Sequence, residues 1–236
     1  LEVAAIKIIS KIDYTTVTQL LSWDNITCKG KFPALSDYYL SWGDIMTKEL
    51  KEYYGVDDSR IFNTGIPHFD REKELASSDL KIHYLKEMRL NSEKPYILFG
   101  MSSPFFSPRE IDIVERLADL INRNIFGEDM QLVVRPHPQN VEGEMADTSW
   151  IRRLNKLRNK RVGLDLPIME KSNLPWNVSE DDLAKLSSLI DGCSVLLNSG
   201  STILIEGLIH NKPVILTLFD ADAILKDFNS ARRIKY

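Results

Sequence analysis

Short apolar segments alternate with amphipathic stretches along the second half of the chain. The apolar segments have the length of buried strands, and most stretches between them space their apolar residues as one face of a helix does. The strands are predicted at residues 96–100, 130–134, 161–164, 195–198 and 214–218, and the helices at about 107–124, before 159, at 179–190 and at 203–210. This alternation predicts an α/β fold with a parallel, doubly wound sheet over about residues 95–220.

Two of these helices have recognisable starts. Ser107 is the predicted N-cap of one helix, with Pro108 in its first turn. Ser179 is the predicted N-cap of another, with Asp182 at the capping-box position.

The first 94 residues show a less regular pattern. Helices are predicted at 1–12 and at 45–54, where Gly55 ends the second, and short strands at 17–23, 38–42 and 61–65. The charged stretch 71–94 predicts a linking helix or helix pair, so we place the domain boundaries at 1–70, 71–94 and 95–236. Because the chain begins without Met inside a predicted helix, we expect it to be a piece of a longer protein.

Composition narrows the class of protein. The chain has 236 residues, 43% of them apolar and 27% charged, which suffices for a packed core. Its net charge of −4 gives no sign of a nucleic-acid partner, and no apolar run reaches the roughly 18 residues of a membrane span. Cys28 and Cys193 form no CxxC pair and no signal peptide is visible, so we expect free thiols and a cytoplasmic protein.

The predicted strand at 130–134 stops at a proline-flanked histidine, His137. Two prolines are predicted to hold this segment extended and to present His137 at the carboxyl edge of the sheet, where open α/β folds bind ligands. A lone histidine here would more often belong to a structural turn. The neighbouring Arg135, Gln139 and Asn140 favour a donor to a phosphate or sugar oxygen.

A second strand end leads into the turn Ser199-Gly200-Ser201-Thr202. Unpaired amides at a helix start, with two hydroxyls, bind phosphate, although a simple N-cap is the plainer alternative. Glu206 lies one helical turn after Thr202, so both can face one ligand, where a carboxylate accepts from ribose hydroxyls.

Three further features are weaker. Ser102 and Ser103 follow the first strand of the predicted sheet, in a loop that lets amides approach a ligand or that is an ordinary tight turn. The basic run 151–163 is either a solvated face or a site for anionic lipid head groups or an acidic acceptor. Asp220 and Asp222 are a weak match to a metal-binding DxD, and we expect no metal.

Three segments carry a resemblance to a known family. They are Ser22–Gly30 (SWDNITCKG), Ile66–Asp70 (IPHFD) and Arg135–Asn140 (RPHPQN). Together they resemble a bacterial family of surface-carbohydrate or CDP-glycerol glycerophosphotransferase-like proteins with the GT-B fold, over about residues 22–220. The resemblance implies that residues 1–70 are the C-terminal portion of an N-terminal, acceptor-side domain. It also implies that residues 95–236 are a C-terminal Rossmann-like domain that binds a nucleotide sugar.

The same resemblance implies a transfer reaction and roles for individual residues. His137 with Pro138 and Ser201 with Thr202 would bind the nucleotide phosphates, assisted by Arg135, and Glu206 would bind the ribose. Asp24 is the candidate catalytic base. The implied partners are a nucleotide-activated sugar or polyol phosphate donor and a glycan or lipid-linked acceptor. Peripheral membrane contact is a further expectation, and no metal or cofactor is expected.

Two other functions are open at this stage. An isomerase similar to the UDP-sugar 2-epimerases would use the same fold and the same edge of the sheet, but it needs further carboxylates in the cleft. A non-catalytic, nucleotide-sugar-binding subunit is the alternative that involves no reaction.

Overall fold

The structure is a computed structural model that describes residues 5, 8–9, 11–12, 14–28, 30–104, 107–141, 148–170 and 178–217. Three predicted features lie wholly or mostly outside these residues. They are the helix predicted at 1–12, the end of the last predicted strand, and the pair Asp220 and Asp222. The chain divides into two compact units, Leu1–Asp70 and Arg71–Tyr236. In the described part of the chain, no helix combines the length and apolar character needed to cross a membrane.

The first unit is built on a small parallel sheet. Its strands β1 (Val17–Gln19), β2 (Tyr38–Ser41) and β3 (Ile61–Asn63) lie in that order, and helix α1 (Asp44–Tyr54) connects two of them. Helix α1 ends at Gly55 as predicted, in the left-handed conformation with φ 63°, where its amide donates to the Lys51 carbonyl. The unit encloses a core that includes Leu20, Ile26, Tyr39, Met46, Leu50 and Val56.

Strand β1 is shorter than the apolar run predicted. The run continues to residue 23, but residues 22–28 form a turn in which the Asn25 side chain accepts from the Ser22 amide at 2.8 Å. This local side-chain hydrogen bond competes with strand pairing and ends the strand at Gln19.

Residues predicted as a separate linker pack as part of the second unit. After α2 (Pro67–Asp70), helices α3 (Glu72–Leu75) and α4 (Ser78–Glu87) cover this stretch. Leu85 and Leu90 are buried beside Leu98 and Leu189, which belong to the main sheet and to a later helix. Their apolar side chains therefore extend the core of the second unit.

The second unit contains the parallel sheet that the sequence predicts. Its strands are β4 (Tyr96–Gly100), β5 (Gln131–Arg135), β6 (Val162–Leu164), β7 (Val195–Asn198) and β8 (Val214–Leu216), in the order β6-β5-β4-β7-β8. Every neighbouring pair is parallel. Both β4 and β5 are buried along their whole length, which explains their nearly continuous apolar sequence.

The other described helices of this unit lie between the strands along the chain. They are α5 (Glu110–Asn122), the short α6 (Pro138–Val141), α7 (Thr148–Leu157), α8 (Glu180–Gly192) and α9 (Ile203–Ile209). Ser179 caps α8 as predicted, since its hydroxyl accepts from the Asp182 amide at 3.1 Å. Ser107 does not cap α5, which begins at Glu110 after a turn and has no side-chain cap.

Candidate functional site

The strand order places one crevice at the carboxyl edge of the main sheet. The chain runs outward from β4 to β5 and β6, and then returns to β7 on the other side of β4 before reaching β8. Open α/β sheets bind ligands where the strand order reverses, outside the carboxyl ends of the strands. Here that position lies between the loops that follow β4 and β7. These loops contain Ser102 and Ser103 and the turn Ser199–Thr202.

The turn after β7 is organised by Asn198, a residue that the sequence did not single out. Its buried side chain donates to the Gly100 carbonyl at 2.6 Å and to the Ser201 hydroxyl at 2.9 Å. Its Oδ1 accepts from the Gly200 amide at 2.7 Å and from the Ser201 amide. Two of the amides expected to bind phosphate therefore already have a partner.

The groups at this turn that are still available to a ligand are mainly side-chain hydroxyls. The Ser201 hydroxyl accepts from Asn198, so its own hydrogen is free to be donated. Thr202 is exposed at the start of α9, and neither its amide nor its hydroxyl has a partner among the residues described. Ser199 instead turns toward β8, where its hydroxyl hydrogen-bonds to the Thr217 hydroxyl at 2.9 Å. Ser201 and Thr202 thus fit the predicted role better than Ser199 and Gly200.

The loop after β4 is tied to the loop after β5. The Ser103 hydroxyl donates to Gln139 Oε1 at 2.6 Å, and the Asn140 side chain donates to the Ser102 carbonyl at 3.3 Å. Both serines are buried. The structure therefore brings Ser102 and Ser103 beside the His137 segment, as the sequence requires for a common site.

His137 is held as a neutral hydrogen-bond donor. Its Nδ1 accepts from the Gln139 amide at 3.1 Å, which leaves the proton on Nε2. Burial, and then the positive charge of Arg135, lower the pKa of His137 to about 4. The prediction that this segment is extended throughout is wrong. Pro138 begins the helical turn α6, and the Asn140 amide donates to the His137 carbonyl at 2.8 Å.

Arg135 has partners that the sequence did not reveal. Its guanidinium donates to Asp165 at 2.6 Å and to Asp182, and Lys185 Nζ lies 2.7 Å from Asp165. All four side chains are buried. The expectation that Arg135 binds phosphate is thus revised, because both carboxylates already neutralise it and only 5% of it is exposed. Asp182 likewise serves this cluster, and its Oδ1 accepts from the Ile168 amide at 2.8 Å instead of closing a capping box.

Glu110 is the main site residue that sequence reasoning missed. It is 1% exposed, and its Oε2 accepts from the Ser102 amide at 2.7 Å. Burial raises the pKa of Glu110 to about 7, although contacts with Ser199 and Ser102 oppose the rise. Glu110 therefore lies between the two loops of the crevice and connects them. Its position directly after Ser-Pro-Arg at a helix start was the available signal, but an acid there is ordinarily solvated.

Glu206 is a partly buried acid of the second unit. Burial, and then the like charge of Glu72, raise the pKa of Glu206 to about 8, so its carboxyl is largely protonated at neutral pH. The residue does lie one turn after Thr202, as expected. Its side chain is partly exposed, and its buried Oε2 atom has no hydrogen-bond partner. Glu72 of helix α3 is close enough to raise its pKa.

Four buried side-chain atoms in the described residues have no hydrogen-bond partner, and all belong to this edge. They are Ser102 Oγ, Glu110 Oε1, Asn140 Oδ1 and Glu206 Oε2. Buried polar atoms in folded proteins are normally paired with protein, water or a ligand. Their concentration around the loops after β4, β5 and β7 singles out this edge as a place where a polar ligand would complete the hydrogen bonding.

The remaining predicted residues lie elsewhere. Asp24 is in the turn of the first unit, where its carboxylate accepts from the Ser22 hydroxyl. No group of three or more His, Cys, Asp or Glu side chains within the described ranges could hold a metal ion. Cys28 is exposed and Cys193 buried, and neither forms a disulfide.

Comparison with solved structures finds enzymes of the GT-B type. The MnaA protein of S. aureus, solved with UDP, has a TM-score of 0.55 and 17% identity, over 77% of this chain and 42% of MnaA. The UDP-GlcNAc 2-epimerase of Methanocaldococcus jannaschii has a TM-score of 0.57 and 14% identity, over 92% of this chain and 58% of that protein. The wall teichoic acid polymerase TagF has a TM-score of 0.45 and 17% identity, over 79% and 40%.

The overlaps with MnaA and with the archaeal epimerase define the fold. It is a Rossmann-like α/β fold of the GT-B type, and this prediction from the sequence is confirmed. The chain spans about half the length of these structures, between 42% and 58%. No family model matches the chain, and no curated protein sequence does so either.

Proposed function

We propose that this chain is the nucleotide-binding part of a cytoplasmic GT-B-type transferase. It would move a sugar or a polyol phosphate from a nucleotide-activated donor to a cell-surface glycan or a lipid-linked acceptor. The observation that carries the proposal is the set of four unpartnered polar atoms around the segments that follow β4, β5 and β7. In a bound nucleoside diphosphate, a phosphate oxygen can accept from the Ser102 hydroxyl, and ribose hydroxyls can donate to the carboxyl and amide oxygens.

The phosphates would be held by neutral donors. His137 Nε2–H, the Ser201 hydroxyl and the Thr202 amide and hydroxyl belong to strand ends on either side of β4. Neighbouring strands are about 4.8 Å apart, so these two ends are separated by roughly 10 Å, a span that two linked phosphates and a sugar can bridge. Ser102 and Ser103 lie between them, in the loop that follows β4.

The nucleoside end would complete the hydrogen bonding of Glu206. A ribose hydroxyl has a donor to offer to the unpartnered Oε2 atom. Because burial keeps Glu206 protonated at neutral pH, its carboxyl can also donate to a second ribose oxygen. This pair of contacts is compatible with a neutral carboxyl, which would not repel the nearby phosphates.

Transfer places negative charge on the departing nucleotide. As the bond between the transferred group and the nucleotide phosphate breaks, donors fixed beforehand around that phosphate stabilise the charge that develops. His137 can serve without being protonated, since its Nε2 already carries a hydrogen. No metal ion or cofactor is required by this scheme. Asp24 is the candidate base in the first unit, and it acts on the acceptor, not on the nucleotide.

A second candidate function is 2-epimerisation of a UDP sugar. The proteins that share the fold include UDP-GlcNAc 2-epimerases, and the structure supplies carboxyl groups with raised pKa values at Glu110 and Glu206. Groups that titrate near neutral pH are suited to moving protons. This observation strengthens the isomerase alternative relative to the sequence alone.

A turnover assay separates the two functions. The chain is incubated with UDP- or CDP-activated donors, with and without membrane-derived acceptor, and the products are followed by NMR and by nucleotide release. Acceptor-dependent release of free nucleotide supports transfer. Formation of the 2-epimer of UDP-N-acetylglucosamine without nucleotide release supports isomerisation and contradicts transfer. Asp24→Asn is predicted to abolish transfer while leaving nucleotide affinity unchanged.

A further inference from the structure

The opposite, amino-terminal edge of the main sheet carries a groove of about 770 Å³. It is lined by the segment 88–91, which leads into β4, and by the segment 158–160, which leads into β6. Met88 and Leu90 are buried and form its floor. The nucleotide crevice lies at the other ends of the same strands, so this groove is a separate surface.

Three cationic side chains surround the groove without a carboxylate to neutralise them. Arg89, Arg158 and Lys160 are exposed, and none of them forms an ion pair with any residue that the structure describes. Other cations of the same basic run are already engaged: Arg153 binds Glu115 at 2.7 Å, and Arg161 donates to the Met130 carbonyl at 2.8 Å. The structure thus divides the run into cations with internal partners and cations left for an external anion.

An apolar turn lies on the same edge. Ile125 is 57% exposed and Phe126 is 45% exposed, in the segment that leads from α5 into β5. Arg161 fixes this turn to the groove side, because its guanidinium donates to the Gly127 carbonyl at 2.8 Å and to the Asn124 side chain. Of the nearby acids, Asp129 is paired with Lys94 at 2.8 Å, and Glu128 is exposed.

We propose that this edge docks on a membrane surface that contains anionic phospholipid. The headgroup phosphates lie in the groove against Arg89, Arg158 and Lys160, and Ile125 and Phe126 enter the interfacial layer beside it. Unpaired cations next to exposed aromatic and aliphatic side chains are typical of surfaces that bind anionic membranes. A soluble anion would use the cations but would gain nothing from the apolar pair, so the membrane explains both features.

Vesicle co-sedimentation tests the proposal with the whole chain. We expect binding to phosphatidylcholine vesicles that contain phosphatidylglycerol, and little binding to pure phosphatidylcholine. The triple variant Arg89→Gln/Arg158→Gln/Lys160→Gln should reduce partitioning at least about tenfold, because each cation near an anionic surface contributes substantially to binding. Ile125→Ser/Phe126→Ser should reduce it independently. Circular dichroism checks that these surface variants are folded.

A matched variant separates a specific surface from general charge. Lys73→Gln/Arg152→Gln/Lys156→Gln removes the same number of positive charges from exposed positions outside the groove, and it should bind vesicles nearly as well as the unchanged chain. Equal losses in both triple variants would overturn the proposal. So would binding of inositol hexakisphosphate through the three groove cations without any vesicle binding, since the groove would then serve a soluble anion.

Discussion

Two groups of ionisable side chains, buried or partly buried, lie near the carboxyl edge of the main sheet, and they differ in whether a cation faces the carboxyl groups. In the first group, Arg135 and Lys185 face Asp165 and Asp182. The Arg135 guanidinium lies 2.6 Å from the Asp165 carboxylate, and Lys185 Nζ lies 2.7 Å from it. In the second group, Glu110 is buried and Glu206 is partly buried, and neither has a cation in contact. Each keeps one buried oxygen without a partner.

The difference indicates which buried charges maintain the fold and which await a ligand. A carboxylate that faces a cation has its charge balanced within the protein, and its group needs nothing further from outside. A carboxyl buried without a cation takes up a proton instead, and for that reason the pKa values of Glu110 and Glu206 rise to about 7 and about 8. We infer that the Arg135 group holds β5, β6 and α8 together, and that the Glu110 and Glu206 pair belongs to the site.

The largest expected change in the free energy of unfolding follows from removing Arg135 from the first group. Arg135→Met leaves Asp165 and Asp182 with only Lys185 to neutralise them, and removing one partner of a buried ion pair typically costs about 3–5 kcal/mol. We expect urea unfolding to show a loss of that order in the free energy of unfolding.

Arg153→Met is the matched control. Arg153 also binds two carboxylates, those of Asp112 and Glu115, but it is 36% exposed. Partly exposed ion pairs contribute roughly 1 kcal/mol or less, so this variant should be nearly as stable as the unchanged chain. Equal losses in the two variants would mean that the burial of the Arg135 group has no special importance.

The second prediction concerns the pH dependence of stability. For Glu110 and Glu206 the folded-state pKa lies above the ordinary value of 4.5, so the folded chain binds more protons than the unfolded chain at neutral pH. Stability must then fall as pH rises toward these values. Between pH 6.5 and 8.5 we expect a loss of about 2–3 kcal/mol, measured by urea unfolding at each pH.

The window is chosen to isolate these two groups. His137 has a lowered pKa of about 4, so its contribution changes mostly below its ordinary value near 6.5, and the small remainder above that pH raises stability. The lowered pKa values of Asp37 and Asp112 also act only at acid pH. Glu110→Gln/Glu206→Gln should flatten the curve, and the exposed control Glu52→Gln should not. A wild-type curve that is flat or rises from pH 6.5 to 8.5 would refute this interpretation.

The smallest expected effect concerns the turn after β7. Ser201→Ala and Thr202→Val each remove one hydroxyl that is available to a phosphate, and each should weaken nucleotide binding roughly threefold to tenfold, as expected for one hydrogen bond. Ser92→Ala, at the opposite edge of the sheet, is the control and should bind normally. Unchanged affinity in both site variants would exclude this turn from the phosphate site.

The sequence predicts the sheet well because each strand is a short apolar run between clear helices. The turn Ser199–Thr202 and the His137 segment were also accessible, since glycine and proline mark them locally. The partners of Arg135 could not be predicted, because Asp165 and Asp182 lie 30 and 47 residues away along the chain. Glu110 was missed for another reason: an acid in the first turn of a helix has a favourable interaction with the helix dipole, so the pattern gives no sign that it is buried.

The most direct test of the account is calorimetric titration of the chain with CMP, CDP and UDP. We expect at least one nucleoside diphosphate to bind with one site per chain, and His137→Ala to weaken this binding at least about tenfold, through loss of a hydrogen bond to a charged phosphate. His83→Ala, which removes an exposed histidine from α4, should leave the affinity unchanged. If none of the three nucleotides binds, or if His137→Ala binds as tightly as the unchanged chain, the carboxyl edge of this sheet is not the nucleotide site.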